Sequence, residues 1–331
     1  MFLTAYCLSY GCWTVIPKQW QESFEDIKAN GFDAVALSFS ESEMRYSRRT
    51  FEMQVNIAHR CGLKVLAIPS RIGGRFAGSP LMPSLWTCEN SDVSVPGVTG
   101  LGCIESPKFC KWAGDFITTL CTDYEIDGLI WDEPKNVDLI STHPETIKKF
   151  GPNPTKENMQ DSYVDFLQAL IYRAKAVRPE LQMTMFNMPN APEYFTRLAA
   201  FIEGLDFIGY DGNFQRQSFF KEKPKKIKES LSSVWERTKQ EACLGNKKTF
   251  ALIENMLMPQ SVHAEYEEGL TKYLESARPD HLSCYYYAHN NEAPEEVHNI
   301  TMRVLKQQLS RSVTEKQQNS NNREKEKRVC V

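Results

Sequence analysis

Much that would assign this chain to a binding class is missing from it. Lys and Arg number 39 against 42 Asp and Glu over 331 residues, a formal charge of −3, and the pI lies near 6.1. Without a basic excess there is no electrostatic reason to expect nucleic acid or an anionic membrane as a partner. No apolar run reaches the roughly 18 residues that would span a bilayer. The N-terminal MFLTAYCLSYGCW has no basic segment ahead of its apolar residues, and it reads as a first strand, not a secretion signal. The six histidines fall in neither HxH nor HExxH spacing, so a zinc site would have to be assembled from scattered positions. The ten cysteines form no CxxC pair; in so long a chain they read as free, buried thiols of a reducing, cytoplasmic compartment, not as a disulfide framework.

What is present is the material of a large core. Hydrophobic residues make up 41% of the chain and charged residues 24%, ordinary values for a globular protein. Short apolar runs alternate with stretches of helical period, the pattern of parallel strands with crossover helices. The strands are expected at Leu3–Leu8, Ala34–Phe39, Lys64–Pro69, Gly128–Asp132, Met183–Asn187, Phe207–Tyr210, Thr249–Glu254 and Leu282–Tyr287, with helices in the gaps from Trp20–Asn30 to Pro294–Leu309. Eight such units imply an α/β fold closed as a (β/α)8 TIM barrel over residues 1–309, with an open doubly wound sheet as the alternative. Residues 310–331, SRSVTEKQQNSNNREKEKRVCV, hold too few apolar groups to offset their ordering entropy and are expected to form a disordered tail.

Two connections are long, Ser70–Ser106 after the third strand and Lys135–Asp161 after the fourth. Both leave the C-terminal ends of strands, where barrel enzymes keep their chemistry. The first carries RIGGRFAGSP, whose glycines suit either close backbone approach to a ligand or a flexible linker with water-facing arginines. It contains neither GxGxxG nor GxxxxGK[ST], so it is no phosphate loop.

Two strands end in acid. The segment IDGLIWDEP, Ile126–Pro134, runs from a buried strand into Asp132 and Glu133 and stops at Pro134, which has no amide to donate. Thr249–Asn255, TFALIEN, ends in Glu254. A carboxyl pair across a barrel mouth is what glycosidic bond cleavage needs, one group to protonate the leaving oxygen and one to attack the anomeric carbon or activate water. A strand-end carboxylate is also often a helix N-cap or the partner of a surface cation. No helical pattern begins directly after Pro134, however, which favours chemistry there. Trp131 and most of the Tyr285–Tyr287 run read as packing.

These motifs resemble the clan A glycoside hydrolases, barrels with Asn-Glu-Pro on strand four and Glu on strand seven, over about Met1–Leu309. The resemblance implies retaining hydrolysis of O-glycosidic bonds in a carbohydrate substrate, with Glu133 as acid/base, Glu254 as nucleophile and no cofactor. Asp132 takes the position of the clan's asparagine, and its charge is expected to raise the pKa of Glu133. Where the clan has an arginine after strand two this chain has Ser38, Ser40 and Glu41, while Arg71 stands at the end of strand three. Asp132, Arg71, Asn187, Tyr210, Asp211, Asn213, Asn255, Tyr287 and His289 are the expected substrate contacts, Asp132 accepting from a sugar hydroxyl as the clan's asparagine would and Tyr210 either donating to the nucleophile or lining the rim. Two further readings use the same residues. One is a Mg²⁺- or Mn²⁺-dependent lyase, isomerase or hydrolase with Asp132, Glu133, Asp211, Glu254 and His289 as ligands; the other is a non-catalytic carbohydrate-binding barrel.

Overall fold

The computed structural model describes residues 1–8, 15–78, 83–212, 231–288 and 291–310. Eight parallel strands close a barrel in chain order: β1 Phe2–Cys7, β2 Ala34–Ser40, β3 Lys64–Ser70, β4 Gly128–Asp132, β5 Gln182–Asn187, β6 Phe207–Gly212, β7 Lys248–Ile253 and β8 His281–Tyr285, with β8 pairing back onto β1. The expected (β/α)8 fold is the one found. The main outer helices are α1 Pro17–Ala29, α3 Arg48–Arg60, α5 Pro107–Asp123, α7 Lys156–Val177, α8 Glu193–Ala199, α9 Leu231–Leu244, α10 His263–Ala277 and α11 at 294–310. Short helices α2 Glu41–Tyr46, α4 Leu85–Glu89 and α6 Pro144–Phe150 sit in the connections, where they offer too few turns for a periodic signal. The expected disordered tail lies outside the described residues from 311 onward. No described helix is long and apolar enough to cross a membrane.

The strands read as unbroken apolar runs because both their faces are buried. Outward residues such as Val35, Leu37, Leu129, Trp131, Met185, Tyr210 and Ile253 pack under the helices. Their neighbours Ala36, Leu66, Ile68, Ile130, Phe186, Phe250 and Leu252 fill the barrel. At its N-terminal end the rings of Phe2, Phe207 and Phe250 stand edge-on to His281 at 5.0, 5.1 and 4.8 Å. Burial lowers the His281 pKa to about 3, so the ring is neutral, and it shares a 2.8 Å hydrogen bond with Thr4. This plug seals one end. At the other end the inward residues are Ser38, Ser70, Asp132 and Asp211.

The long connection after β3 is tied down on its own side chains. The Glu41 carboxylate accepts from Gly73 N at 3.2 Å and Trp86 N at 2.7 Å. A Cβ on Gly73 would lie 2.2 Å from the Phe109 ring, and its φ is +57°. These glycines therefore close the connection onto itself, which corrects both the ligand-approach and the flexible-linker expectation. Arg75 is no water-facing arginine either. It is buried, donates to Gly102 O at 2.8 Å and lies 5.7 Å from the centre of the Tyr163 ring. Its own carbonyl accepts from Lys135 N at 2.8 Å and from the Tyr163 hydroxyl, which stitches the two long connections together and fixes where Lys135 begins.

Candidate active site

Side chains along a strand alternate between faces. Asp132 ends β4 two residues after inward Ile130, and Asp211 follows inward Gly209 in β6, so both enter the mouth. Glu254, one residue beyond β7, continues the inward series of Phe250 and Leu252. Strict alternation would send Glu133 outward, but its φ of +40° breaks the pattern. That left-handed conformation costs a non-glycine residue roughly 1–2 kcal/mol, and a 3.1 Å bond from Glu133 N to Phe186 O holds the turn on β5. Two consecutive carboxyl groups thereby share one mouth. Asp132, Glu133, Asp211 and Glu254 are 5%, 9%, 7% and 8% exposed.

The Asp211 carboxyl shares hydrogen bonds with both Glu133 and Glu254. One of two touching carboxyl groups must carry a proton, and burial decides which. Burial first, then the charges of Glu254 and Glu133, push Asp211 well above the usual carboxylate range. Asp132 is pushed up in the same direction by burial and by the Glu133 charge, against the opposing pull of Lys135 and Arg71. Burial also pushes on Glu133, but the hydrogen bond from Asp211, the contact of Lys135 and the Arg71 charge outweigh it, and its pKa is lowered. The expectation that Asp132 raises Glu133 is therefore reversed. The cation stands on Glu133, so it is the aspartates that hold protons.

The structure sorts the expected contacts. Arg71, at the end of β3, comes within electrostatic reach of Asp132 and Glu133. Tyr210 is turned outward because its neighbour Asp211 is inward; its ring packs on Trp235 at 5.8 Å and its hydroxyl lies beside that of Tyr273, on the helix side of the strand and not on the side of Glu254. Asn187 has outward parity too and lines a cleft with Thr196, Arg237 and Glu241 under the helices. The Asn255 amide is consumed in clamping β8, donating to Tyr285 O at 2.9 Å and accepting from Tyr285 N at 3.0 Å. Tyr287 lies past the end of β8 with its ring stacked on His298 at 3.9 Å and its hydroxyl donating to Glu295, on the outer helix and away from the acids. Asn213 and His289 lie outside the described residues.

Three residues of the mouth were not anticipated. Lys135 carries the cation on Glu133, and its place two residues after Glu133 in WDEPK was visible in the sequence. Tyr6 of β1 and Tyr285 of β8 face inward, edge-on to one another at 5.6 Å, and both phenols lie within electrostatic reach of Asp132 and Asp211. Counting parity back from the acids would have found them. Among the described residues no three His, Cys, Asp or Glu side chains are grouped to hold a metal ion, and Lys135 already occupies Glu133. The ligand set of the metal-dependent reading is thus not assembled by these residues.

No protein-family model matches the chain, and no curated protein matches it. Solved structures match it as folds. A β-galactosidase from the Antarctic haloarchaeon Halorubrum lacusprofundi superposes with a TM-score of 0.69 at 9% identity, over 93% of this chain and 58% of that one. A β-galactosidase from the psychrophilic Marinomonas ef1 gives 0.61 at 11%, over 95% and 60%. The endo-1,4-β-mannanase of Rhizomucor miehei gives 0.61 at 10%, over 92% and 95%. The chain thus spans less than two thirds of the two galactosidases. At such identities the likeness is one of fold, a barrel that these glycoside hydrolases share.

Proposed function

We propose that the chain hydrolyses O-glycosidic bonds of a carbohydrate, with Glu133 and Glu254 as the catalytic pair. The observation that carries the reading is the interaction of the Asp211 carboxyl with both Glu133 and Glu254, which gathers the glutamates that follow β4 and β7 in one mouth. Inversion needs room for a water between the two carboxyl groups. The placement of the pair after strands four and seven, as in the clan A glycoside hydrolases, supports the retaining course with Glu254 as nucleophile.

The proton inventory gives the first step its order. At rest Glu133 is ionised against Lys135, and the proton lies on Asp211, in a hydrogen bond to it. The Glu254 charge is the largest electrostatic cause of that placement. As Glu254 forms its bond to the anomeric carbon, that charge vanishes and Asp211 becomes the stronger acid. Its proton then passes to Glu133, which, once neutral, delivers that proton to the leaving glycosidic oxygen and returns to its ionised form. Water next attacks the glycosyl ester, Glu133 takes its proton, and that proton returns to Asp211 as Glu254 is released as a carboxylate.

The test is Glu254→Ala on an activated aryl glycoside. Hydrolysis is expected to fall by at least about a thousandfold, with azide restoring turnover as a glycosyl azide of inverted configuration. Undiminished hydrolysis, or no product with azide, would refute the nucleophile; NMR of the first-formed anomer of the parent checks retention directly.

A further inference from the structure

The mouth has two halves of different chemistry. Among the described residues its carboxyl groups come from one run of strands: Asp132 and Glu133 at the end of β4, Asp211 on β6 and Glu254 after β7. The remaining run, β8 and then β1 to β3, turns hydroxyls inward at the same end, on Tyr285, Tyr6, Ser38 and Ser70. The proposed catalysis uses the acid half alone.

Two of these hydroxyls are unpaired. Ser70 donates to Ala77 O at 3.4 Å, whereas the Tyr6 and Ser38 hydroxyls, on residues 1% and 4% exposed, have no hydrogen-bond partner among the described residues. They stand on neighbouring strands, Tyr6 level with Ala36 and Ser38 at the next inward position of β2. The Tyr6 phenol also lies within electrostatic reach of Asp132, Asp211 and Glu133, so it borders the acid half. Burial, the largest cause, raises its pKa well above the ordinary value, and the phenol keeps the proton it would donate. Leaving such groups unpaired is costly. Neither is open to bulk water, so a group inserted into the mouth is what can pair them.

We propose that Tyr6 and Ser38 form the subsite that selects the glycosyl unit, binding its hydroxyl groups while its anomeric carbon lies between Glu133 and Glu254. The proposal rests on the glycosidase reading and names the residues that choose the sugar. A sugar hydroxyl both donates and accepts, as a phenol and a serine hydroxyl do, so the groups complement one another without any change of charge. A site whose buried polar groups are paired by the substrate rejects an analogue that lacks the matching hydroxyl.

Kinetics on the full chain test this with the 4-nitrophenyl β-glycosides of galactose, glucose and mannose and, for the one cleaved fastest, its four monodeoxy analogues. Loss of one hydroxyl is expected to cost the parent at least about tenfold in kcat/KM. Tyr6→Phe and Ser38→Ala should each lose about that factor on the intact substrate, and the matching deoxy analogue should then cost no more than about twofold further. Neither variant should have a lower Tm, because the hydroxyl removed bonds nothing in the empty mouth. Deoxy penalties equal in parent and variants, as water filling the mouth would give, or a Tm lowered in both variants, would overturn the proposal and leave the glycosidase reading standing. If no glycoside is cleaved, the glycosidase reading fails, and thermal unfolding with about 100 mM galactose, glucose or mannose decides the subsite. A rise in Tm that both variants lose would uphold it as a sugar-binding site; no rise in the parent would overturn it too.

Discussion

Asp132→Asn should stabilise the protein at neutral pH and do nothing for it in acid. Asp132 is buried, lacks a hydrogen-bond partner among the described residues, and has its pKa raised by burial and then by the Glu133 charge. A folded state with a raised carboxyl pKa binds more protons than the unfolded chain, so stability falls as pH rises from the unfolded value, near 3.9, to the folded one. Each unit between those values costs the parent about 1.4 kcal/mol. An asparagine has the same shape and no such cost. The stability difference between variant and parent should be close to zero at pH 4, grow by up to about 1.4 kcal/mol per pH unit, and level off above the folded pKa. The height of that plateau measures how far burial and the Glu133 charge raise Asp132. Urea unfolding at pH 4, 5, 6, 7 and 8 measures the curve directly. A variant less stable than the parent at pH 7, or a gain of equal size at every pH, would refute the account of Asp132 as an uncompensated buried acid.

Lys135→Met removes the cation in contact with Glu133, and Glu133 and Asp132 should then titrate higher. The kcat/KM profile against pH is expected to move up by roughly 1–2 units, the effect of one close charge, and an unmoved profile would show that Lys135 does not set the protonation of the cluster. For Glu133→Ala, aryl glycosides with good leaving groups should lose less activity than those with poor ones, because the missing acid matters most where the leaving oxygen needs a proton. Equal losses across a leaving-group series would remove Glu133 from the acid/base role.

The barrel was legible because parallel strands buried on both faces must be apolar throughout, so runs such as AVALSF and GLIW declare themselves without any partner in view. The acids at their ends were legible for the opposite reason, as charge standing where burial should stop. What failed was direction. Tyr210 and Asn187 sit at strand ends as expected, but the inward parity of Asp211 and Phe186 turns both beneath the helices. Tyr287 would share the inward parity of Tyr285 had β8 continued; the strand stops at Tyr285, and a φ of +50° carries Tyr287 away. Parity is readable only once a strand's last residue is known, and end positions depend on tertiary contacts such as the Asn255 clamp, far from the strand in sequence.

Asparagine and aspartate differ by one charge, and in this mouth that charge decides the rest. With asparagine at position 132 there would be three carboxyl groups facing Lys135 and Arg71, and the single proton on Asp211 would leave the cluster neutral. Aspartate adds a fourth acid where no cation is added with it. The left-handed turn at Glu133 makes the crowding unavoidable, since it forces consecutive carboxyl groups into the same space. Lys135 resolves the contest for Glu133 alone, so the excess falls on Asp132, the group that also lacks a hydrogen bond. A proton on Asp132, beside the one on Asp211, relieves that excess, and its loss as pH rises is what the stability curve reads.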